Sequence, residues 1–186
     1  MPFHKTDISG LLVYEPKVFE DSRGYFFESY NQKNFLQEGV DFVFVQDNQS
    51  SSSYGVIRGL HYQLLPHAQT KLVRVLHGEI LDIAVDIRKG SPTYGKVFSV
   101  ELSAENKKQL LIPPGFAHGF SVLSKKAEVL YKCDSFYNKE SEAGIIYNDP
   151  ALAIDWKIPA GKEIVSEKDM VLPLLENSKT NFVFEN

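Results

Sequence analysis

The dominant pattern along the chain has period two. Leu81, Ile83, Val85 and Ile87 alternate with Asp82, Ala84, Asp86 and Arg88, the signature of a strand with one buried and one solvated face. Further strands are expected over 11–18, 24–30, 42–49, 55–63, 71–77, 96–102, 108–112, 117–123 and 127–137. Turn signals separate them: Asp21-Ser22-Arg23-Gly24, His77-Gly78, Lys89-Gly90-Ser91-Pro92, Ala104-Glu105-Asn106 and Pro113-Pro114-Gly115. Helical signal is thin, one or two turns over 31–37 and again near 173–177. Many short strands at near-regular spacing predict an all-β fold, a sandwich or barrel of the jelly-roll type with a few short helices. No repeat, low-complexity segment or Gly/Ser/Pro-rich linker divides residues 1–186, so one domain is expected.

Strands this numerous leave edges that must be closed or paired. A dimer joined through strands is therefore expected, the more so because Tyr25-Phe26-Phe27 and Phe42-Val43-Phe44-Val45 are long apolar runs.

Composition narrows the partners. Hydrophobic residues make up 43% and charged residues 24%, as in ordinary globular proteins. The net charge is −4 with no Lys/Arg block, which argues against nucleic acid. An anionic small molecule stays open, because a few basic groups in one cleft outweigh the global charge locally. No apolar run approaches the ~18 residues of a membrane-spanning helix. A single cysteine, Cys133, and an N-terminal stretch without a secretory pattern lead to a cytoplasmic expectation.

Of the five histidines, His61 and His118 fall inside expected strands among large apolar neighbours, whereas His4, His67 and His77 lie at a terminus or near turns. A metal-binding jelly roll would place a second histidine two residues after the first. Residue 63 is Gln63, a poor ligand, and no carboxylate follows closely, so no metal site is expected. Gln46 and Asn48 are two apart and share a strand face, as do Phe26 and Glu28. Polar groups converging inside an apolar barrel would form a ligand site. Glu128 and Lys132 are read as solvated, and Ser166-Glu167-Lys168-Asp169 as a polar turn or helix cap. No Gly-x-Gly-x-x-Gly or P-loop is present, so no nicotinamide or ATP site is signalled and chemistry would have to rely on side chains.

Several motifs occur in a fixed order: Asp21-Ser22-Arg23-Gly24-Tyr25-Phe26-Phe27-Glu28, Gln46-x-Asn48, Arg58-Gly59-Leu60-His61-Tyr62-Gln63, Val85-Asp86-Ile87-Arg88-x-Gly90-Ser91-Pro92-Thr93-x-Gly95 and Pro113-Pro114-Gly115-Phe116-Ala117-His118-Gly119-Phe120. Tyr131-Lys132-Cys133, Tyr137-Asn138, Asp149-Pro150, Asp155-Trp156 and Ser166-Glu167-Lys168-Asp169 follow. This ordered set, over about residues 5–175, resembles the dTDP-4-dehydrorhamnose 3,5-epimerase family. The resemblance implies a cupin-type jelly-roll barrel, a homodimer, no cofactor, and a dTDP-4-keto-6-deoxyhexose substrate. By it, His61 matches the general base, Asp169 its orienting carboxylate, Tyr131 the acid and Lys71 the cation near the keto oxygen. Arg23, Phe26, Glu28, Gln46, Asn48, Arg58, His118, Glu142 and Lys168 match substrate-binding positions, and Tyr137 the ring that stacks on thymine. Arg23, Phe26 and Glu28 would come across the dimer. The chemistry is consistent: an imidazole suits proton abstraction near neutral pH and a phenol suits reprotonation of an enolate.

Strict alternation places Arg58 and His61 on opposite faces. Both can face inward only if the strand is bulged between them, so an irregularity is expected at 58–60, with Gly59 the natural place for it. Two other readings remain in view at this stage: a related epimerase acting at C3 alone or C5 alone, and a non-catalytic or metal-binding barrel.

Overall fold

The computed structural model describes residues 2–184. Fourteen strands form: β1 (Phe3–Lys5), β2 (Leu12–Tyr14), β3 (Phe19–Asp21), β4 (Gly24–Phe26), β5 (Gln46–Ser53), β6 (Val56–Gln63), β7 (Lys71–His77), β8 (Glu79–Asp86), β9 (Val97–Ser103), β10 (Gln109–Ile112), β11 (Phe116–Val122), β12 (Lys126–Cys133), β13 (Glu142–Gly144) and β14 (Ile164–Val165). The first six-stranded sheet runs β1-β2-β10-β7-β12-β5, and the second runs β13-β6-β11-β8-β9 with β14 added parallel to β6. The β3–β4 hairpin belongs to neither. Helices are short, α1 (Gln32–Gln37) and α2 (Glu167–Met170). This is the all-β jelly roll that the alternation implied.

The two sheets close on a shared core. Val73, Val75, Leu110, Ile112 and Val129 of the first meet Ile80, Ala84, Phe116, Phe120 and Val122 of the second. Each outer face is covered as well. Phe35 of α1, with Phe42 and Phe44, covers the first sheet against Tyr14, Leu72 and Leu111. Ile145, Leu152, Trp156, Leu175 and Phe182 cover the second against Leu81, Ile83, Val85 and Ile87.

That second cover changes the reading of residues 81–88. The apolar face of β8 lies under the C-terminal segment, and its polar face lines the barrel interior. Asp82 and Asp86 are therefore fully buried rather than solvated. Burial of a carboxylate is tolerated only with partners. Asp86 accepts hydrogen bonds from Arg88, Ser91 and Thr93.

Several expected strands end early, for local reasons. Strand 11–18 breaks at Glu15-Pro16, where proline has no N–H to donate, and β3 restarts as part of the hairpin. Strand 24–30 stops at Phe26. Strand 42–49 begins only at Gln46, because Phe42 and Phe44 pack around α1. Strand 127–137 ends at Cys133, where Asp134 turns to accept the Thr70 amide. The 31–37 helix forms with Asn31 as its cap, and 173–177 yields one 3-10 turn at Leu175–Asn177.

The irregularity at 58–60 is present. His61 pairs with His118 and Arg58 with Phe120, so three steps on β6 oppose two on β11. The extra residue flips the side-chain alternation. Ile57, Leu60 and Tyr62 face the outer cover, while Arg58 and His61 both face the cavity. Gly59 adopts φ +115°, and a Cβ there would sit 2.6 Å from Gly119 Cα and from the His118 carbonyl oxygen. Gly59→Ala is expected to destabilise the fold by at least ~2 kcal/mol, which would lower Tm by roughly 5 °C or more in a chain of this size. A thermal melt beside the parent protein checks this, and an unchanged Tm would mean the backbone accommodates a side chain there.

Candidate active site

A cavity of about 450 Å³ opens at one end of the barrel. Arg58 and His61 line it from β6, His118 from β11, Lys71 from β7, Tyr131 from β12, and Lys168 and Asp169 from α2. All four residues expected to do chemistry meet here.

The His61–Asp169 pair is built by the tail. Ser166 caps α2 by accepting the Asp169 amide, which fixes the short helix against β6. Asp169 is almost fully buried, and its Oδ1 lies 2.7 Å from His61 Nε2. Its Oδ2 accepts the Gly59 N–H at 3.3 Å. Burial alone would raise the Asp169 carboxyl, but the His61, Gly59 and Ser166 contacts outweigh it and hold the group below the usual carboxylate range. A carboxylate can only accept, so His61 presents Nε2–H to Asp169 and its other nitrogen is the basic one.

Tyr131 and Lys71 sit on the opposite sheet. Burial raises the Tyr131 phenol, with Cys133 adding to this and Arg58 opposing it, so it stays a protonated acid. Burial lowers Lys71, while Cys133, Asp82 and Glu142 oppose the shift. Among the described residues the Lys71 ammonium has no hydrogen-bond or ion-pair partner. Cys133 is pushed up to about 11, chiefly by burial, and is therefore an inert neutral thiol. Arg58, Lys71 and Lys168 against the single carboxylate of Asp169 favour an anionic ligand in a chain that is net negative.

His118 also lines the cavity, but it is not free. Its Nε2 lies 2.8 Å from Oδ1 of Asp82, a residue the period-two pattern had placed in solvent. Burial lowers the His118 pKa against the opposing effect of Asp82. The only sequence signal for Asp82 was a carboxylate amid a strongly apolar strand.

A second group forms a polar rim. Gln46 donates to Asn48 and accepts the Tyr137 amide, Tyr137 Oη donates to Glu142, and Glu142 pairs with Lys168. The Tyr137 ring is exposed. Gln63 is buried and structural, bonded to Asn138 and to the carbonyls of His67 and Phe136. Glu128 and Lys132 make surface pairs with Lys126 and Asp47, as expected. Among the described residues no three His, Cys, Asp or Glu side chains converge in a metal-ligating group.

Arg23, Phe26 and Glu28 do not join the cavity of their own chain. Arg23 forks onto Asp21 with its side chain 88% exposed, and Phe26 is 68% exposed. Glu28 accepts from Asn31 and borders a separate open groove with Tyr14 and Phe19.

The family model described as dTDP-4-dehydrorhamnose 3,5-epimerase matches residues 5–177. The chain is 56% identical over 167 residues to the dTDP-4-dehydrorhamnose 3,5-epimerase of Shigella flexneri, covering 89% of this chain and 91% of that one. It resembles the crystal structure of the Elizabethkingia anophelis dTDP-4-dehydrorhamnose 3,5-epimerase at TM-score 0.90 and 55% identity, over 94% and 96% of the two chains. It is equally similar, at TM-score 0.90 and 50% identity over 94% and 93%, to a Legionella pneumophila 3,5-epimerase solved with dTDP-4-keto-L-rhamnose. The matched span includes both sheets and α2, and the chain belongs to the dTDP-4-dehydrorhamnose 3,5-epimerase family.

Proposed function

We propose that the chain converts dTDP-4-dehydro-6-deoxy-D-glucose to dTDP-4-dehydro-L-rhamnose by inverting C3 and C5. The observation that carries this is the placement of base and acid: the His61–Asp169 pair enters the cavity from the second sheet and Tyr131 from the first. A sugar lying between the sheets is reached by the base on one face and by the acid on the other, which is what inversion requires.

The chemistry follows from the ketone. C3 and C5 both flank C4, so loss of either proton gives an enolate. His61 removes the proton, and Asp169 fixes its tautomer and stabilises the imidazolium. Lys71, which lines the same cavity, would supply the cation that the developing oxyanion needs, an interaction often worth ~3 kcal/mol. Tyr131 returns a proton to the opposite face, and proton exchange with solvent then restores the neutral imidazole and the phenol before the second carbon is inverted. Arg58 and Lys168 at the cavity wall suit the diphosphate, and the Tyr137 ring suits the thymine. Every proton transfer has a side chain, so the reaction asks for no cofactor.

The exposed β3–β4 hairpin supports a homodimer in which Arg23, Phe26 and Glu28 complete the partner's cavity. Among the described residues no helix is long and apolar enough to cross a membrane. With the lone thiol buried and unreactive, we place the enzyme in the cytoplasm, as one domain.

Proton NMR of the protein with dTDP-4-dehydro-6-deoxyglucose in D2O tests the reading. Deuterium is expected at both C3 and C5. Deuterium at one carbon would make this a single-site epimerase, and none at either would remove the assignment.

A further inference from the structure

Asp82 is fully buried on the interior face of β8, and its Oδ2 has no hydrogen-bond partner among the described residues. Its Oδ1 holds His118 on the neighbouring strand β11. Across the barrel, the Lys71 ammonium has no hydrogen-bond or ion-pair partner among the described residues and lies 5.9 Å from the centroid of the Tyr131 ring. A buried carboxylate oxygen with no donor is unfavourable and calls for a reason. Asp82 and Lys71 carry opposite charges in one interior and act on each other without contact, Asp82 being among the groups that favour the charged lysine.

We propose that Asp82 is a positioning residue of this epimerase, fixing His118 as the Nε2–H tautomer and holding the cation of Lys71 in place across the barrel. The inference rests on the epimerase reading above. Asp82 does not line the cavity, so it acts through the two side chains that do.

The tautomer follows from donor and acceptor chemistry. A carboxylate accepts, so His118 donates from Nε2, and Nδ1 keeps a lone pair that can accept from a sugar hydroxyl. His118 is the second histidine of the cavity, and it is held neutral where His61 must gain and lose a proton. Burial depresses His118, with Lys71 and His61 adding to this and Asp82 opposing it. The groups acting on Lys71 are Cys133 on β12, Asp82 on β8 and Glu142 on β13. Cys133 is neutral and Glu142 is paired with Lys168. Asp82 is thus the buried carboxylate that favours the charged lysine without neutralising it by contact. Direct pairing would quench the cation, whereas a bare desolvated lysine would lose its proton more readily.

Asp82→Asn keeps the shape and an acceptor but removes the charge. In the variant, kcat for C3 and C5 exchange is expected to fall ~10–100-fold, as is usual for groups that orient a first layer of functional side chains. KM should change less than about threefold, since the contacts with the nucleotide lie elsewhere. The alkaline limb of the pH–rate profile should move to lower pH, because Lys71 loses the group that favours its charge. Tyr131 also titrates on that side, but Cys133 and Arg58 are the charges that act on it, and not Asp82. An Asp82→Asn enzyme with a lower Tm and an unmoved profile would overturn the proposal. Should the variant fail to fold, 15N NMR of the wild-type histidine rings decides. Protonated Nε2 on His118 throughout pH 6–9 supports it, and titration like a free histidine near ~6.5 overturns it. A wild-type enzyme with no exchange at all would defeat the epimerase reading instead, and the ring-nitrogen measurement would still report on the Asp82 contact.

Discussion

Replacing His61 with asparagine is expected to lower kcat by roughly 10²–10⁴-fold and to remove most deuterium uptake at both C3 and C5, since general base catalysis contributes on this scale. The amide cannot accept a proton near neutral pH, and the other histidine and the carboxylate among the described cavity residues are already engaged, Asp169 by His61 and the Gly59 amide and His118 by Asp82. The His61 side chain is 32% exposed at the cavity mouth, so the smaller residue leaves no sealed void and Tm should stay within a few degrees. Exchange rates measured by NMR on the variant check this. More than about a tenth of wild-type exchange would exclude His61 as the base.

Asp169→Asn should cost a similar factor, roughly 10³–10⁴ in kcat, for a different reason. An amide can turn its NH2 toward His61 Nε2 and invert the tautomer, leaving the wrong nitrogen protonated. The same substitution has a separate signature in stability. Burial opposes, but the contacts of Asp169 outweigh it, so its folded pKa lies below the unfolded value near 4. The unfolded chain therefore binds the proton first as pH falls. The stabilisation is fully present above the unfolded pKa and is lost as pH drops through the folded value. Urea unfolding of wild type and variant should thus differ by a constant amount from pH 5 to 7, and the gap should shrink below pH ~4. A gap that is flat down to pH 3 would mean that the carboxylate contributes little as a charge.

Much of the fold was legible because strand faces are written locally. Alternation at 81–87 and turn residues such as Lys89-Gly90-Ser91-Pro92 need no knowledge of distant partners. The bulge at Gly59 could also be anticipated, since two functional side chains three apart cannot share a strand face without one. What failed was the environment of each face. Asp82 looked solvated because a half-buried strand is the default, and nothing local to 81–87 announces that Ile145, Trp156 and Phe182 will cover the apolar side.

The sequence by itself determined the strand pattern, the need for an irregularity beside His61, and through the ordered motifs the family and the residue types of its chemistry. The tertiary structure alone decided which of those residues meet. Asp169 lies 108 positions from His61, which it contacts, and Asp82 lies 36 from His118, distances that only strand register and the docking of α2 on β6 can close. It also decided that His61 and Tyr131 stand on facing sheets, and that Arg23, Phe26 and Glu28 lie outside their own cavity. Periodicity records which way a side chain points, whereas what it points at depends on elements packed from elsewhere in the chain.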